Sequence, residues 1–140
     1  MEAMKTRHSC GAVVMNTCGE VVVVEQYNDE WSLPKGHIEE GEEWLDCLRR
    51  ELYEEAGIEY FEFVRELGTY ERYRIGLDHK DDKTEWKIIH LFLLTTTQEK
   101  LEPTDPEHPQ ALWIPKEEVA AKLTIPKDKE FFESILKELP

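Results

Sequence analysis

The chain has 140 residues, of which 31 are acidic and 17 are Lys or Arg, so its formal net charge is -14. With 40% apolar residues, 34% charged residues and a mean hydropathy of -0.60, the composition fits a single domain over residues 1–140 and excludes an apolar span of the roughly 20 residues that cross a membrane. The acidic balance also argues against general nucleic-acid binding and against docking on anionic membranes, because both partners favour a basic surface.

The cysteines indicate a reducing compartment. The chain has an odd number of cysteines, Cys10, Cys18 and Cys47, and no two of them form a C-x-x-C pair. This spacing favours neither a disulfide framework nor a zinc site. The amino end carries charges of both signs and no apolar run of signal-peptide length, so we expect a cytoplasmic protein.

The amino-terminal half predicts a hairpin, an ordered loop and a helix. Runs rich in β-branched residues at 10–15 and 21–25 are typical of two strands joined by a turn. Proline and glycine within 31–42 predict an ordered loop bounded by a short strand. Apolar residues then recur at helical spacing over 42–56, and Gly57 is placed to end that helix.

The carboxyl-terminal half predicts two long antiparallel strands, a loop, a short strand and two helices. In that order, the segments are residues 61–75, 85–97, 99–109, 111–114, 115–122 and 127–139. Aromatic and β-branched residues dominate the strands, whereas three prolines among acidic residues favour a loop in the third segment.

Carboxylates are concentrated on the predicted helix. At about 100° per residue, Glu51, Glu54 and Glu55 form a stripe beside the apolar face that carries Leu48 and Leu52. Like charges at these spacings repel by roughly 0.2–0.5 kcal/mol on an exposed helix. The stripe is therefore either a solvated acidic face or a set of oxygen ligands for a hard divalent cation such as Mg²⁺ or Mn²⁺.

The residues around this stripe form a known signature. Gly36, five residues, Glu42, seven residues and then the run RELYEEAGI over 50–58 match G-x5-E-x7-R-E-U-x-E-E-x-G-U, in which U is aliphatic, at all nine specified positions. The chain therefore resembles the Nudix hydrolase family over residues 36–58. The resemblance implies an α+β Nudix fold, an α/β/α sandwich with a central mixed β-sheet.

The resemblance also implies a chemistry, the hydrolysis of a phosphoanhydride in a nucleoside diphosphate linked to another group. It implies Mg²⁺ as cofactor, with Mn²⁺ able to replace it, and it makes Glu51, Glu54 and Glu55 metal ligands. Glu55 is also the candidate to accept a proton from the attacking water. Arg50 either orients a carboxylate or forms a plain surface ion pair, and Glu42 either caps the helix or assists a metal.

A narrower resemblance involves residues outside the signature. The run WSLPKGHIE over 31–39, together with Glu107 and His108 ahead of Trp113, is similar to the diadenosine tetraphosphate hydrolase branch of the family. In that branch an acid before the late strand works with the signature. Glu107 is therefore predicted as a further metal ligand, with an ordinary loop acid as the alternative.

Substrate contacts are predicted on both sides of the helix. Lys35 and His37 flank Gly36 and are candidates to hold phosphate oxygens. Tyr70 and Tyr73 lie on the strand after the helix, where an aromatic ring can stack on an adenine. A solvated loop is the alternative for the first pair, and core or surface packing is the alternative for the tyrosines.

Together these features predict a Mg²⁺-dependent pyrophosphohydrolase of dinucleoside polyphosphates, such as diadenosine tetraphosphate, that yields ATP and AMP. The alternatives are hydrolysis of nucleoside triphosphates, of RNA 5′-triphosphates or of inositol pyrophosphates, and a non-catalytic nucleotide-sensing module. The net charge of -14 argues against the RNA and inositol pyrophosphate alternatives, which would benefit from a broad basic surface. An acidic protein can nevertheless retain a local basic groove. We expect a small nucleotide as partner, with neither nucleic acid nor membrane, and the sequence leaves the oligomeric state open.

Overall fold

A mixed β-sheet packed between helices organises the chain. The computed structural model describes residues 4–26 and 29–140. The strands in this part of the chain are β1 Lys5–Met15, β2 Glu20–Glu25, β3 Trp31–Ser32, β4 Lys35–His37, β5 Glu62–Ile75, β6 Asp81–Thr95 and β7 Ala111–Pro115. The helices are α1 Trp44–Ala56, α2 Lys116–Lys122 and α3 Pro126–Ile135, and a 3₁₀ turn follows over Leu136–Glu138.

The sheet has one parallel pair at its centre. The strand order is β3-β2-β1-β6-β5, with β4 added to β1 and β7 added to β2. β1 runs parallel to β6 from Lys5 opposite Glu85 to Met15 opposite Thr95, and the other pairings are antiparallel. The mixed sheet expected from the resemblance is therefore confirmed.

The predicted elements are confirmed in type, with shifted boundaries. The loop predicted over 31–42 contains two short strands, β3 and β4, instead of one. β6 begins at Asp81, four residues before the predicted start, because a tight turn over 76–80 lets pairing continue to the tip. The last predicted helix ends as a 3₁₀ turn instead of continuing to position 139.

Both faces of the central strand are buried. Alternate residues of a strand point to opposite faces, and on β1 Ala12 packs with α1 while Val13 packs with α2 and α3. Leu48 and Leu52 of α1 are each 1% exposed on the first face, as the helical spacing predicts. Burial on both faces explains the unbroken apolar run of β1 and confirms the α/β/α arrangement.

Gly57 ends α1 and connects it to a distant loop. Its φ of 69° is left-handed, and its N–H donates to Tyr53 O at 2.9 Å. A Cβ at this position would lie 2.1 Å from Glu102 O, so only glycine fits. The loop of 102–105 packs against the helix end, where the Thr104 N–H donates to Glu54 O at 3.0 Å. This contact brings the segment before β7 to the carboxylate helix.

No helix within residues 4–26 and 29–140 combines the length and the apolar character that a membrane crossing requires.

The burial of Leu48 makes a stability prediction. Leu48→Ala leaves a cavity between α1 and the sheet and should lower the free energy of unfolding by about 2–5 kcal/mol in chemical denaturation. Leu77, 66% exposed at the hairpin tip, supplies the control, because Leu77→Ala should change stability by less than about 0.5 kcal/mol. Equal effects of the two substitutions would contradict the packing of α1 described above.

Candidate active site

Glu55 is the most deeply buried carboxylate of the signature. Its side chain is 0% exposed, whereas the helical spacing placed it beside the buried face and not within it. Oε2 accepts a hydrogen bond from the Lys35 backbone N–H at 3.0 Å. Oε1 lies 3.1 Å from His108 Nε2, which forms an ion pair with it when the imidazole is protonated, and no other described group hydrogen-bonds this oxygen. A buried carboxylate oxygen is thus available to a ligand.

Glu51 lies against β4 one helical turn from Glu55. A Cβ on Gly36 would stand 2.1 Å from the Glu51 carboxylate, so the glycine of the signature clears space for this side chain. Burial, followed by repulsion from Glu55, raises the pKa of Glu51 to about 8, although Arg50 opposes the rise. The fold therefore confines two carboxylates at a distance where both cannot readily remain charged without a compensating cation.

Arg50 is the organising cation of the signature. Its Nε and Nη2 donate to the two oxygens of Glu42 at 2.9 and 3.0 Å, and its Nη1 donates to Glu51 at 2.5 Å. Nη2 also donates to the His37 carbonyl at 3.0 Å. Arg50 thus contacts the carboxylates of Glu42 and Glu51 and links the helix to β4. Glu42 makes no capping hydrogen bond to α1, because its carboxylate accepts hydrogen bonds from Arg50 and from the Glu39 backbone N–H at 3.0 Å.

The predicted metal ligands do not all converge. Glu54 is 40% exposed at its side chain and lies 3.6 Å from Arg50 Nη1. Glu107 is exposed, and its backbone N–H donates to Asp105. Across residues 4–26 and 29–140, no three His, Cys, Asp or Glu side chains are close enough together to hold a metal ion.

Two of the predicted ligands nevertheless fit a hard cation. Mg²⁺ usually retains several waters and is bound through one or two carboxylates together with substrate phosphates. Glu51 and Glu55 supply such a pair, with a buried oxygen that lacks a hydrogen bond. Their mutual repulsion is the feature that a divalent cation would neutralise.

In the loop before β7, His108 is the residue that approaches the carboxylates of α1, whereas Glu107 is exposed. Besides its approach to Glu55, its Nδ1 lies 3.5 Å from Asp105. Burial works against the charged ring, but Glu55 and Asp105 together raise the pKa of His108 above its ordinary value. The sequence placed this histidine beside the predicted acid, and only the docking of 102–105 on the helix end distinguishes the two neighbours.

A cavity of about 430 Å³ adjoins β4. Its wall carries the acids Glu30 and Glu85 and more numerous basic side chains: Arg7, Lys35, His37, Arg72, Arg74 and Lys87. Lys35 connects the cavity to the carboxylates, since its backbone binds Glu55 and its side chain lines the wall. His37 Nε2 lies 3.5 Å from Glu85. Both residues predicted to hold phosphate therefore face this cavity.

A buried carboxylate on α3 supports the cavity wall. Asp128 is 2% exposed, and it accepts hydrogen bonds from Arg72 Nε at 2.9 Å, from Tyr70 Oη at 2.8 Å and from Lys35 Nζ at 3.3 Å. Burial alone would raise the pKa of Asp128, but Lys35 and Arg72 lower it below its usual range. No pattern in the sequence marks Asp128 as a site residue, because its partners lie on β4 and β5, far from α3 along the chain.

The two predicted tyrosines do not line the cavity. The Tyr70 ring stacks on Phe131 at a centroid distance of 4.7 Å, and its hydroxyl is bound to Asp128. The Tyr73 ring meets the Trp86 ring edge to face at 4.9 Å. These contacts correspond to the packing alternative given above, and they leave neither ring placed for an adenine in this cavity.

The contact between Gly36 and Glu51 makes a second prediction. Gly36→Ala should lower stability by about 1–3 kcal/mol, because the added methyl group overlaps the carboxylate. Gly76→Ala is the control, since its Cβ would meet the end of the Asp78 side chain at 3.0 Å and the Lys80 backbone oxygen at an ordinary contact distance of 3.5 Å. In the double variant with Glu51→Ala the cost of Gly36→Ala should fall by about 1 kcal/mol or more. Additive effects in chemical denaturation would contradict the contact.

The Asp128 cluster predicts a pH-dependent stability. Asp128→Asn leaves Lys35 and Arg72 without their carboxylate and should cost about 3–5 kcal/mol near neutral pH. Because folding lowers the pKa of Asp128, its stabilisation is present above the unfolded value of about 3.9 and is lost as pH falls through the lower folded value. The difference between the two proteins in urea titrations should therefore shrink below about pH 4.

The control is an exposed aspartate on β6. Asp81→Asn should change stability by less than about 0.5 kcal/mol at neutral pH. A difference between the Asp128→Asn variant and the unchanged protein that stayed constant from neutral to acidic pH would show that the charge of Asp128 contributes nothing.

Comparison with known proteins identifies the family. The NUDIX domain model matches residues 5–135. A curated relative, the RNA pyrophosphohydrolase of Psychrobacter sp. strain PRwf-1, is 28% identical over 120 residues, covering 77% of this chain and 69% of that protein.

Two solved structures show the same fold. The MutT protein of Methanosarcina mazei Go1 superposes with a TM-score of 0.79 at 20% identity, over 96% of both chains. The C. elegans Ap4A hydrolase in a binary complex superposes with a TM-score of 0.74 at 18% identity, over 94% of this chain and 96% of that one. At these identities the likeness concerns the fold alone, and the narrower branch stays a prediction. Because the family model covers nearly the whole chain, the protein belongs to the Nudix family.

Proposed function

We propose that this protein is a Mg²⁺-dependent pyrophosphohydrolase that cleaves a phosphoanhydride bond in a nucleoside polyphosphate. The observation that carries the proposal is the pair of confined carboxylates, Glu51 and Glu55, held by β4 next to a cavity rich in cations. A polyphosphate is a polyanion, and this combination lets an otherwise acidic protein bind one.

The residues divide the work between positioning and proton transfer. Glu51 and Glu55 would hold the cation, which when bound polarises phosphoryl oxygens and lowers the pKa of water. Oε1 of Glu55 is buried, lies 3.1 Å from His108 Nε2 and is able to accept a proton. The Lys35 N–H fixes the other oxygen of Glu55, and Arg50 fixes Glu51. Both carboxylates are thus held in one orientation before the reaction, so they need little reorganisation during it.

Dinucleoside polyphosphates are the first candidate substrates, with diadenosine tetraphosphate yielding ATP and AMP. The motif WSLPKGHIE and the Glu107-His108 pair support this choice by resemblance. The approach of His108 to Glu55 at 3.1 Å supports a role for the loop before β7 in the site. Glu54 and Glu107 stay proposed as ligands that would complete the site once substrate and cation are bound.

RNA with a 5′-triphosphate is the second candidate. The name of the Psychrobacter relative favours it. The net charge of -14 weighs less against it than composition suggested, because five Lys and Arg side chains are gathered on one cavity wall. A local basic surface of this kind can attract a triphosphate end while the rest of the molecule repels the nucleic acid.

Product analysis with a matched pair of variants tests the proposal. The protein is incubated with diadenosine tetraphosphate, 5′-triphosphorylated RNA, nucleoside triphosphates and ADP-ribose, with Mg²⁺ or with EDTA. Cleavage of at least one polyphosphate only in Mg²⁺ is expected. Glu55→Gln should cut turnover by roughly a hundredfold or more, because it removes a ligand or proton acceptor without changing core volume.

The control variant is Glu43→Gln, which changes an exposed acid just before α1. It should keep the turnover of the unchanged protein. Full activity of Glu55→Gln would overturn the role given to that residue. No cleavage of any compound would overturn the proposed reaction and favour a nucleotide-sensing module.

A further inference from the structure

The cavity beside β4 has a charge balance opposite to that of the whole chain. Acids outnumber Lys and Arg by 31 to 17 overall. On the cavity wall five Lys and Arg face two acids. Such a reversal in an acidic protein creates a local positive potential, which a concave wall concentrates.

Most of the cations on this wall already have carboxylate partners. Arg7 Nε lies 2.9 Å from Glu85, and Lys35 and Arg72 share Asp128. Each of these three side chains is thereby held in one place with its charge offset. They form the fixed part of the wall.

Lys87 and Arg74 are the exceptions. Among the described residues, neither side chain has a carboxylate within ion-pair distance, although Glu85 and Asp128 act on Lys87, and Asp82 on Arg74, from further away. Lys87 is partly buried on β6, and burial, together with the charges of Arg72 and Lys35, lowers its pKa to about 8. A partly buried cation beside other cations is unfavourable for folding unless an anion binds to it.

We propose that Lys87 and Arg74 bind the phosphate groups that extend from the cleaved bond into this cavity. This inference rests on the proposed function, because Lys35 joins the cavity wall to Glu55 and so places the two sites on one substrate. Through these contacts the cavity wall distinguishes substrates by their number of phosphates. Substrates with three or more phosphates gain these contacts, and a compound with only two gains fewer.

The test measures binding of inorganic polyphosphate without catalysis. Titration calorimetry in EDTA compares tripolyphosphate with pyrophosphate on the unchanged protein, on Lys87→Met and on Arg74→Gln. The unchanged protein should bind tripolyphosphate more tightly than pyrophosphate. Each variant should weaken tripolyphosphate binding about tenfold or more, the usual effect of losing a charged hydrogen bond.

Lys83→Met provides the matched control, since it removes one positive charge from an exposed position on the same strand. It should change the dissociation constant less than about twofold, because exposed charges are screened. The melting temperature of Lys87→Met should equal or exceed that of the unchanged protein, which separates lost binding from lost folding.

Two results would overturn the inference. One is equal affinity of the unchanged protein for tripolyphosphate and pyrophosphate, and the other is an equal loss in Lys87→Met and Lys83→Met. Hydrolysis assays in Mg²⁺ keep this inference separate from the proposed function. Polyphosphate binding through Lys87 without cleavage of any nucleotide would contradict the function alone, whereas cleavage that Lys87→Met leaves unchanged would contradict the inference alone.

Discussion

Repulsion between Glu51 and Glu55 is the interaction around which the rest of the site is arranged. The two side chains are one turn apart on α1 and face the same strand, so folding brings two negative charges into a region of restricted solvation. Gly36 leaves room for one carboxylate, the Lys35 N–H binds the other, and the Arg50 fork spreads its charge over Glu42 and Glu51. These contacts hold the pair in place without neutralising it fully, which leaves the pair able to bind a cation.

The cavity wall also brings like charges together, but there the charges are positive. Arg7, Lys35 and Arg72 form close ion pairs, while Lys87 and Arg74 form none within the described chain. A partly buried cation without a close ion pair, such as Lys87, lowers the free energy of unfolding. Unfavourable local arrangements of this kind are typical of binding sites. Net charge alone therefore describes the solubility of this chain better than it describes the ligands it accepts.

The sequence could specify what depends on near neighbours. The spacing of Leu48 and Leu52 determined the buried face of α1, and Gly57 determined its end, because both follow from helix geometry within one or two turns. It could not specify that His108 would reach Glu55 in place of Glu107, since a one-residue difference in a loop depends on how 102–105 docks on the helix. The role of Asp128 could not be predicted for the same reason, because its partners on β4 and β5 come near it only when α3 packs against these strands.

Lys35 shows how the two charged regions depend on each other. Its backbone N–H binds Glu55, and its ammonium group binds Asp128 on α3. β4 has three residues and pairs with β1 at each of them. Besides this pairing and the Arg50 hydrogen bond to the His37 carbonyl, β4 is bound by a carboxylate from α1 on one side and by a carboxylate from α3 on the other. Any substitution that releases Asp128 from Lys35 removes one of these contacts, so it should disturb Glu55 as well as the cavity wall. Asp128 itself contacts neither Glu51 nor Glu55 in the described structure.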